Sequence, residues 1–165
     1  MTQDLTAHPL TAAAFAPFGE VLEVSGQPDR LINAGRCGRF HDRARLDFAD
    51  ARAGISVFKS DCFALPFAFD LVERHPEGSQ AFIPMSADPF LVVVAPDDGG
   101  TPGTPLAFLT SGAQGINIRR NVWHGVLTPL SGPGLFAVVD RIGTTPNLQE
   151  FRYAARWTVT GPAPA

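Results

Sequence analysis

Turn-forming residues interrupt this chain so often that none of its apolar segments is longer than a short strand. Gly 16 and Pro 15 are spread over the 165 residues, and β-branched or aromatic residues fill the intervals between them. We predict strands at 20–24, 55–59, 67–72, 80–83, 90–95, 106–109, 115–118, 135–140 and 152–159. Nine segments spaced by roughly 8 to 15 residues favour a β-sandwich or barrel over alternating βαβ units.

Helix signals are few. Thr11 is a good N-cap for a short turn at 12–15, and residues 46–53 have a pattern typical of one or two helical turns. A chain of 165 residues has a length typical of one domain. We therefore expect a single all-β domain over 1–165 with a few short helices and a frayed tail at 161–165.

Charge and apolar runs argue against several classes of partner. The net charge is −3 and no run of five like charges occurs, so nucleic acid is not an expected partner. The apolar run at 90–96 is too short to cross a bilayer, and no membrane partner is expected. We expect a cytoplasmic protein in which Cys37 and Cys62, without a CxxC motif, are isolated buried thiols.

One polar cluster stands out in the segment from Glu73 to Gln80. Side chains alternate along a strand, so Glu73 and His75 are predicted on one face. Gln80 begins the next predicted strand after a Pro-Glu-Gly turn and can join them. Glu and His suit proton transfer or a first-row divalent metal, whereas Gln is a weak neutral ligand. A surface salt bridge beside a turn explains the same residues about equally well.

A second polar cluster follows the strand at 115–118. His124 comes directly after Trp123, and a buried histidine paired with backbone is a common alternative to a functional one. Asn117 lies on this strand, and regular alternation would place Arg120 on the face of His124. Arg141 ends a core strand, where it either pairs with Asp140 or binds a carboxylate.

A third candidate is the pair Arg39 and His41, which alternation places on one face and which an ordinary polar loop explains equally well. Motifs for dinucleotide, phosphate-loop, serine-hydrolase and zincin chemistry are absent, so no organic cofactor is expected.

Several motifs in order along the chain resemble the ureidoglycolate lyase family. They are E-R-H-P-x-G-S-Q-A-F-I-P from Glu73, F-L-V-V-V-A-P from Phe90, Q-G-I-N from Gln114 with R-N-V-W-H from Arg120, and V-V-D-R from Val138. The Ile32-Asn33 pair and the Arg39-Phe40-His41 segment are similar too. Adjoining motifs at matching spacing are more specific than any single one.

The resemblance implies a cupin-like double-stranded β-barrel, a jelly roll, that forms a homodimer and converts (S)-ureidoglycolate to glyoxylate and urea in purine catabolism through allantoin degradation. It implies that Glu73, His75 and Gln80 take the first cupin motif and His124 the second, with a divalent metal such as nickel as a possible cofactor. In this sequence Glu stands where cupins have their first His, and Gln where they have a carboxylate.

The reaction that the resemblance implies needs a base, an acid and a cation, and we predict His124, His75 and Glu73 for the proton transfer and Arg120 and Arg141 for the substrate carboxylate. Arg39, His41 and Asn117 are the further candidates for substrate binding. Metal-assisted and pure acid–base versions of the reaction use the same residues. An amidohydrolase releasing ammonia and a cupin that binds without catalysis remain open alternatives. We also expect His124 at the barrel mouth, where its replacement by alanine changes the melting temperature little.

Overall fold

The computed structural model describes residues 2–161, and almost all of its regular structure is β. The single helix among these residues, α1, is one turn. The elements are β1 Gln3–Pro9, α1 Ala12–Phe15, β2 Gly19–Leu22, β3 Arg30–Ile32, β4 Cys37–Arg39, β5 Arg52–Lys59, β6 Phe67–Arg74, β7 Gln80–Pro84, β8 Phe90–Ala95, β9 Asp97–Asp98, β10 Thr101–Pro102, β11 Leu106–Leu109, β12 Gly115–Ile118, β13 Trp123–His124, β14 Thr128–Pro129, β15 Leu135–Ile142 and β16 Gln149–Thr160.

Six strands close into a barrel in the order β11-β1-β16-β6-β13-β8, because β8 pairs back onto β11, and β14 adds to β8 at the side. The barrel is mixed, since β1 runs parallel to both of its neighbours while the other pairs are antiparallel. Closure removes the exposed sheet edges on which β proteins aggregate. The predicted all-β, cupin-like barrel is confirmed.

A second sheet of five antiparallel strands, in the order β2-β12-β7-β15-β5, packs against the barrel. One apolar cluster contains only residues of the barrel and of segments near it, among them Trp123, Leu91 and Val93. The other cluster joins Val92 and Val94 of the barrel to residues of the second sheet. Successive β8 side chains alternate between these cores, which explains why all six residues of this apolar strand are buried.

The two sheets are aligned at a common end. The Phe90 ring contacts Phe136 with centroids 5.0 Å apart, which joins the start of β8 to the start of β15. The segment after β6 leads directly into β7, and the segment after β12 leads into β13, and each of these two segments crosses between the sheets. Polar residues near these two crossings therefore meet at one end of the inter-sheet space.

The Leu46–Ala53 region differs from the expected helical turns. Ala49 has a positive φ of 52° and its N–H donates to the Asp47 carboxylate. A left-handed residue interrupts a helix, so this segment is irregular until β5 begins. The prediction of a helix at 46–53 was wrong.

Other predictions have mixed outcomes. The nine predicted strands are present, those at 90–95, 106–109 and 115–118 with the predicted bounds and the other six with shifted ends. β1 and the short strands β3, β4, β9, β10, β13 and β14 were missed. Cys37 and Cys62 are exposed, so the prediction of buried thiols was wrong. The predicted tail lies outside the described residues except for Gly161. Within the described residues, no helix has the length and apolarity needed to span a membrane.

Candidate active site

Two strands of the barrel place Glu73 and His124 side by side. They are direct register partners in the antiparallel pair of β6 and β13, and His124 also lies opposite Val94 of β8. Trp123 belongs to the core inside the barrel, so the next side chain, His124, points to the opposite face. Val94 on that face belongs to the core between the sheets. The Glu73 and His124 side chains therefore face the inter-sheet space.

His75 joins this pair from the residue after β6. Its ring centroid lies 5.3 Å from that of His124, and its Nε2 lies 3.8 Å from the Glu73 Oε1 atom. One ligand atom from each of Glu73, His75 and His124 lies within 4.8 Å of the other two. The predicted grouping of these three residues is present in the structure, and we call them the triad.

Both imidazoles are held by backbone carbonyls. His75 Nδ1 lies 2.7 Å from the Asn147 oxygen, and His124 Nδ1 lies 2.9 Å from the Gly125 oxygen. A carbonyl only accepts hydrogen bonds, so Nδ1 must carry the proton and Nε2 keeps its lone pair. Both Nε2 atoms are buried without a hydrogen-bond partner. Metal-binding histidines are commonly held in this way by a carbonyl on the second ring nitrogen.

The donor set of the triad fits a first-row divalent metal, which favours two imidazole nitrogens with a carboxylate oxygen. The two Nε2 lone pairs already point away from the protein groups that fix the rings. The structure contains no ion that identifies the metal.

Burial sets the charge of the triad. His124 is only 1% exposed, and desolvation, reinforced by the neighbouring His75, lowers its pKa to about 4. Desolvation raises the pKa of Glu73 above its usual value, while the nearby His75 acts in the opposite direction. At neutral pH His124 is therefore an uncharged imidazole with a free lone pair.

Gln80, the fourth residue of the predicted cluster, lies on the facing sheet. It opens β7, pairs with Ile118 of β12 and shares the inward face with Phe82. Gln80 is buried, and its Oε1 has no hydrogen-bond partner. The residues of the predicted motif are therefore divided between the sheets: Glu73 and His75 are on the barrel side, and Gln80 is on the second sheet.

The predicted arginines have other contacts. The Arg141 side chain is 5% exposed, and its Nη2 lies 2.9 Å from Glu77 and donates to Thr145. Arg120 donates from Nε to the Pro76 carbonyl and borders an open cleft with Arg119. The chain leaves the sheet after Ile118 and Asn121 has a φ of 66°, so strand alternation does not continue from Arg120 to His124.

The remaining predicted substrate residues also have local partners. Asn117 is fully buried on the face opposite Ile116 and Ile118, and its amide donates to Glu20. Arg39 lies 2.8 Å from His41 through Nη2 and Nδ1, and both are beside the small β3–β4 hairpin on the surface. None of the contacts described above joins these residues to the triad, so their roles in substrate binding stay predictions.

Two features of the site were missed by sequence reasoning. The carbonyl of Asn147 fixes His75 from far along the chain. Asn147 belongs to the segments that resemble the family, but no role was predicted for it. Asp140 was considered only as a partner of Arg141, yet it shares the inward face of β15 with Val138 and has a buried Oδ1 without a partner. Alternation along β15 was the signal that distinguishes Asp140 from Arg141.

Comparison with known proteins adds independent information. The family model described as ureidoglycolate lyase matches residues 2–160. The chain belongs to the ureidoglycolate lyase family. The resemblance drawn from the motifs is thereby confirmed.

Members of the ureidoglycolate lyase family with curated names cover nearly the same length. A ureidoglycolate lyase of Rhodobacter capsulatus is 62% identical over 148 residues, covering 89% of this chain and 92% of the relative. Ureidoglycolate lyase 2 of Rhizobium meliloti is 51% identical, covering 88% and 91%. A ureidoglycolate lyase of Mesorhizobium japonicum is 48% identical, covering 94% and 96%.

Proposed function

We propose that this protein is a carbon–nitrogen lyase that eliminates urea from (S)-ureidoglycolate and leaves glyoxylate, a step of allantoin and purine catabolism. Family membership supports the substrate. The observation that carries the chemistry is the triad, in which two unpartnered imidazole Nε2 atoms and a carboxylate converge between the sheets.

The reaction moves one proton and breaks one bond. The carbon that carries the hydroxyl, carboxylate and ureido nitrogen loses its hydroxyl proton, the C–N bond breaks, and the departing nitrogen gains a proton. A positioned base and acid with a perturbed pKa suit this transfer. The products are glyoxylate and urea, and no oxidant or reductant is needed.

We assign the proton transfer to His75. Its Nδ1–H is anchored on the Asn147 carbonyl, which leaves Nε2 free to take the hydroxyl proton and return it to the nitrogen. The Glu73 carboxylate, 3.8 Å from Nε2, stabilises the imidazolium that forms. His124 stays neutral because burial lowers its pKa to about 4, which makes it a poor base at neutral pH.

A divalent metal such as nickel is the cofactor that we propose, held by Glu73, His75 and His124. Gln80, which the resemblance includes in this set, lies on the facing sheet, and we do not assign it as a ligand. When bound, the metal would supply a Lewis acid for an α-hydroxycarboxylate, which is a natural bidentate ligand. With His75 Nε2 held by the metal, the hydroxyl proton would pass instead to the second oxygen of the Glu73 carboxylate, since only one ligand atom of Glu73 is needed for the metal. Equilibrium dialysis with Ni²⁺ tests the site: Glu73→Gln should weaken binding by at least about tenfold.

Product analysis tests the proposed reaction. Purified protein is incubated with racemic ureidoglycolate, and glyoxylate, urea and ammonia are measured. Urea in equal amount to glyoxylate supports the lyase, with half of the racemate consumed if one enantiomer is used. Ammonia instead of urea would indicate an amidohydrolase, and no product would leave only a binding function.

Variants then test the residues. We expect His75→Ala and Glu73→Gln to lower kcat by at least about 100-fold, because each removes a group of the proton transfer. His8→Ala is the matched control, since His8 is an exposed histidine on β1. Full activity in His75→Ala would refute the assignment. Arg120→Lys, Arg141→Lys, Arg39→Lys, His41→Ala and Asn117→Ala, compared by KM, test the substrate residues that the resemblance implies.

We also propose a homodimer formed through the outer face of the five-stranded sheet. Ile55 and Val57 of the edge strand β5 are 78% and 66% exposed, and Ile83 of β7 lies on the same face. An exposed apolar edge strand suits pairing with an identical strand across a two-fold axis. Light scattering should give twice the chain mass, and Val57→Asp should give the monomer, whereas Val24→Asp, an exposed residue after β2, should not.

We place the protein in the cytoplasm. Cys37 and Cys62 are exposed and unpaired, which suits a reducing compartment. Fractionation of cells should recover the protein with cytoplasmic markers.

A further inference from the structure

Asp140 and Gln80 are neighbours on the inward face of the second sheet. The antiparallel register of β15 and β7 pairs Val138 with Phe82 and Val139 with Ala81. The ladder ends with Val139 and Ala81, and continuing its register by one residue brings Asp140 opposite Gln80. Phe82 and Val138 belong to the core between the sheets, and each lies two residues from this pair, so Gln80 and Asp140 face the same space.

This pair lies at the same end of the inter-sheet space as the triad. The Phe90 contact with Phe136 fixes the opposite end of β8 and β15. Val94 lies four residues after Phe90 on β8 and is the register partner of His124. Asp140 lies four residues after Phe136 on β15. The short crossing from His75 to Gln80 ties the two sheets together at this end.

The two polar groups cannot satisfy each other as they stand. Asp140 Oδ1 and Gln80 Oε1 are both buried without a partner. A carboxylate oxygen and an amide oxygen both accept hydrogen bonds, so these two atoms do not pair with each other, and a ligand that brings two donors would satisfy both. A buried acceptor left unpaired is costly, and such costs persist where function requires them.

We propose that Asp140 and Gln80 form a recognition pair for the ureido group, each accepting a hydrogen bond from its N–H donors. The inference rests on the proposed function, because it identifies the part of ureidoglycolate that each sheet contacts. The second sheet binds the donor-rich ureido end, and the triad on the barrel acts at the hydroxyl-bearing carbon. Asp140 and Gln80 then determine specificity for a ureido substituent over smaller groups that lack N–H donors.

Two ligands that each lack one part of the substrate distinguish recognition of the ureido group from a general effect on the pocket. Ureidoacetate keeps the ureido group and carboxylate but lacks the hydroxyl, whereas glycolate keeps the hydroxyl and carboxylate but lacks the ureido group. Titration calorimetry of both ligands is made with Ni²⁺-loaded wild type, Asp140→Asn, Gln80→Met and the control Asp98→Asn. Asp98 is exposed on β9, far along the chain from either pair member.

We expect Kd for ureidoacetate to rise about 10- to 100-fold in Asp140→Asn and by a smaller factor in Gln80→Met, since a hydrogen bond to a charged acceptor contributes more than one to a neutral acceptor. Glycolate affinity should change less than about twofold in either variant, and Asp98→Asn should bind both ligands as wild type does. Circular dichroism checks folding, and if Asp140→Asn is unfolded, Gln80→Met decides.

The proposal fails if ureidoacetate binding is unchanged, if wild type does not bind it, or if both ligands weaken together, which would indicate a general effect on the pocket. Failure of the proposed function is a separate result. Wild type would then release no urea from ureidoglycolate, while the comparison of the two ligands still shows whether Asp140 and Gln80 select a ureido group.

Discussion

Replacing His124 with alanine tests the site and the packing together. The imidazole is 1% exposed in the inter-sheet core and its Nδ1 donates to the Gly125 carbonyl. The sequence suggested a residue at an open mouth, whose loss leaves stability unchanged. The structure corrects this picture, because His124 lies between β6 and β8 with Val94 as its partner.

The expected cost combines three effects. Truncating a large buried side chain to alanine costs about 2–5 kcal/mol, and the lost hydrogen bond adds about 1 kcal/mol. Removing the Nε2 atom stabilises the folded state by about 1–3 kcal/mol, because that atom is buried without a hydrogen bond and its desolvation is no longer a cost. The net loss is about 2 kcal/mol, which for a chain of this length lowers Tm by about 4–8 °C.

Thermal unfolding of chelator-treated protein followed by circular dichroism measures this loss, and the lyase assay is run on the same samples with Ni²⁺ added. His8→Ala should keep both the wild-type Tm and the activity, since His8 is exposed. A Tm shift below about 1 °C in His124→Ala would refute the packing argument. Wild-type kcat in that variant would refute its role in the site.

Three further predictions concern the frame around the site. Arg141→Lys should lower the free energy of unfolding by about 1–2 kcal/mol, because the Arg141 guanidinium is 5% exposed and pairs with Glu77. The control Arg152→Lys, at a side chain that is 69% exposed, should change it by less than about 0.5 kcal/mol. Equal changes in the two variants would contradict the role of burial. Gly134→Ala should cost at least about 2 kcal/mol, since φ is +62° and the new Cβ would lie 2.0 Å from the Ser60 carbonyl oxygen. Gly112→Ala shares the positive φ in open space and should cost about 1 kcal/mol, so a similar loss in both would exclude the clash. Burial raises the pKa of Tyr153, the single tyrosine, to about 12. The absorbance of the Tyr153 phenolate should therefore appear near pH 12 in the folded protein. The stability that the buried phenol contributes is fully present below about pH 10 and should be lost as the pH rises through the folded pKa. A titration midpoint near pH 10 would contradict the effect of burial.

The local sequence determined the strand content and the placement of Glu73 and His75 on one face. Frequent turns between short β-branched segments predicted the barrel class, and the period of two placed Glu73 beside His75. Strand alternation and turn propensity act over a few residues, so they are visible without any knowledge of the fold. The fully apolar run at 90–95 predicted the strand β8, and the structure shows that both of its faces are buried.

The tertiary structure decided which polar residues meet. Arg120 is close to His124 in sequence, but the left-handed Asn121 and the change of sheet separate their environments, whereas Asn147 reaches His75 from far along the chain. The register of β15 and β7, whose last pair is Val139 and Ala81, is what brings Asp140 and Gln80 close together. Pairing between distant strands depends on the packing of two sheets around shared cores, which no local pattern encodes.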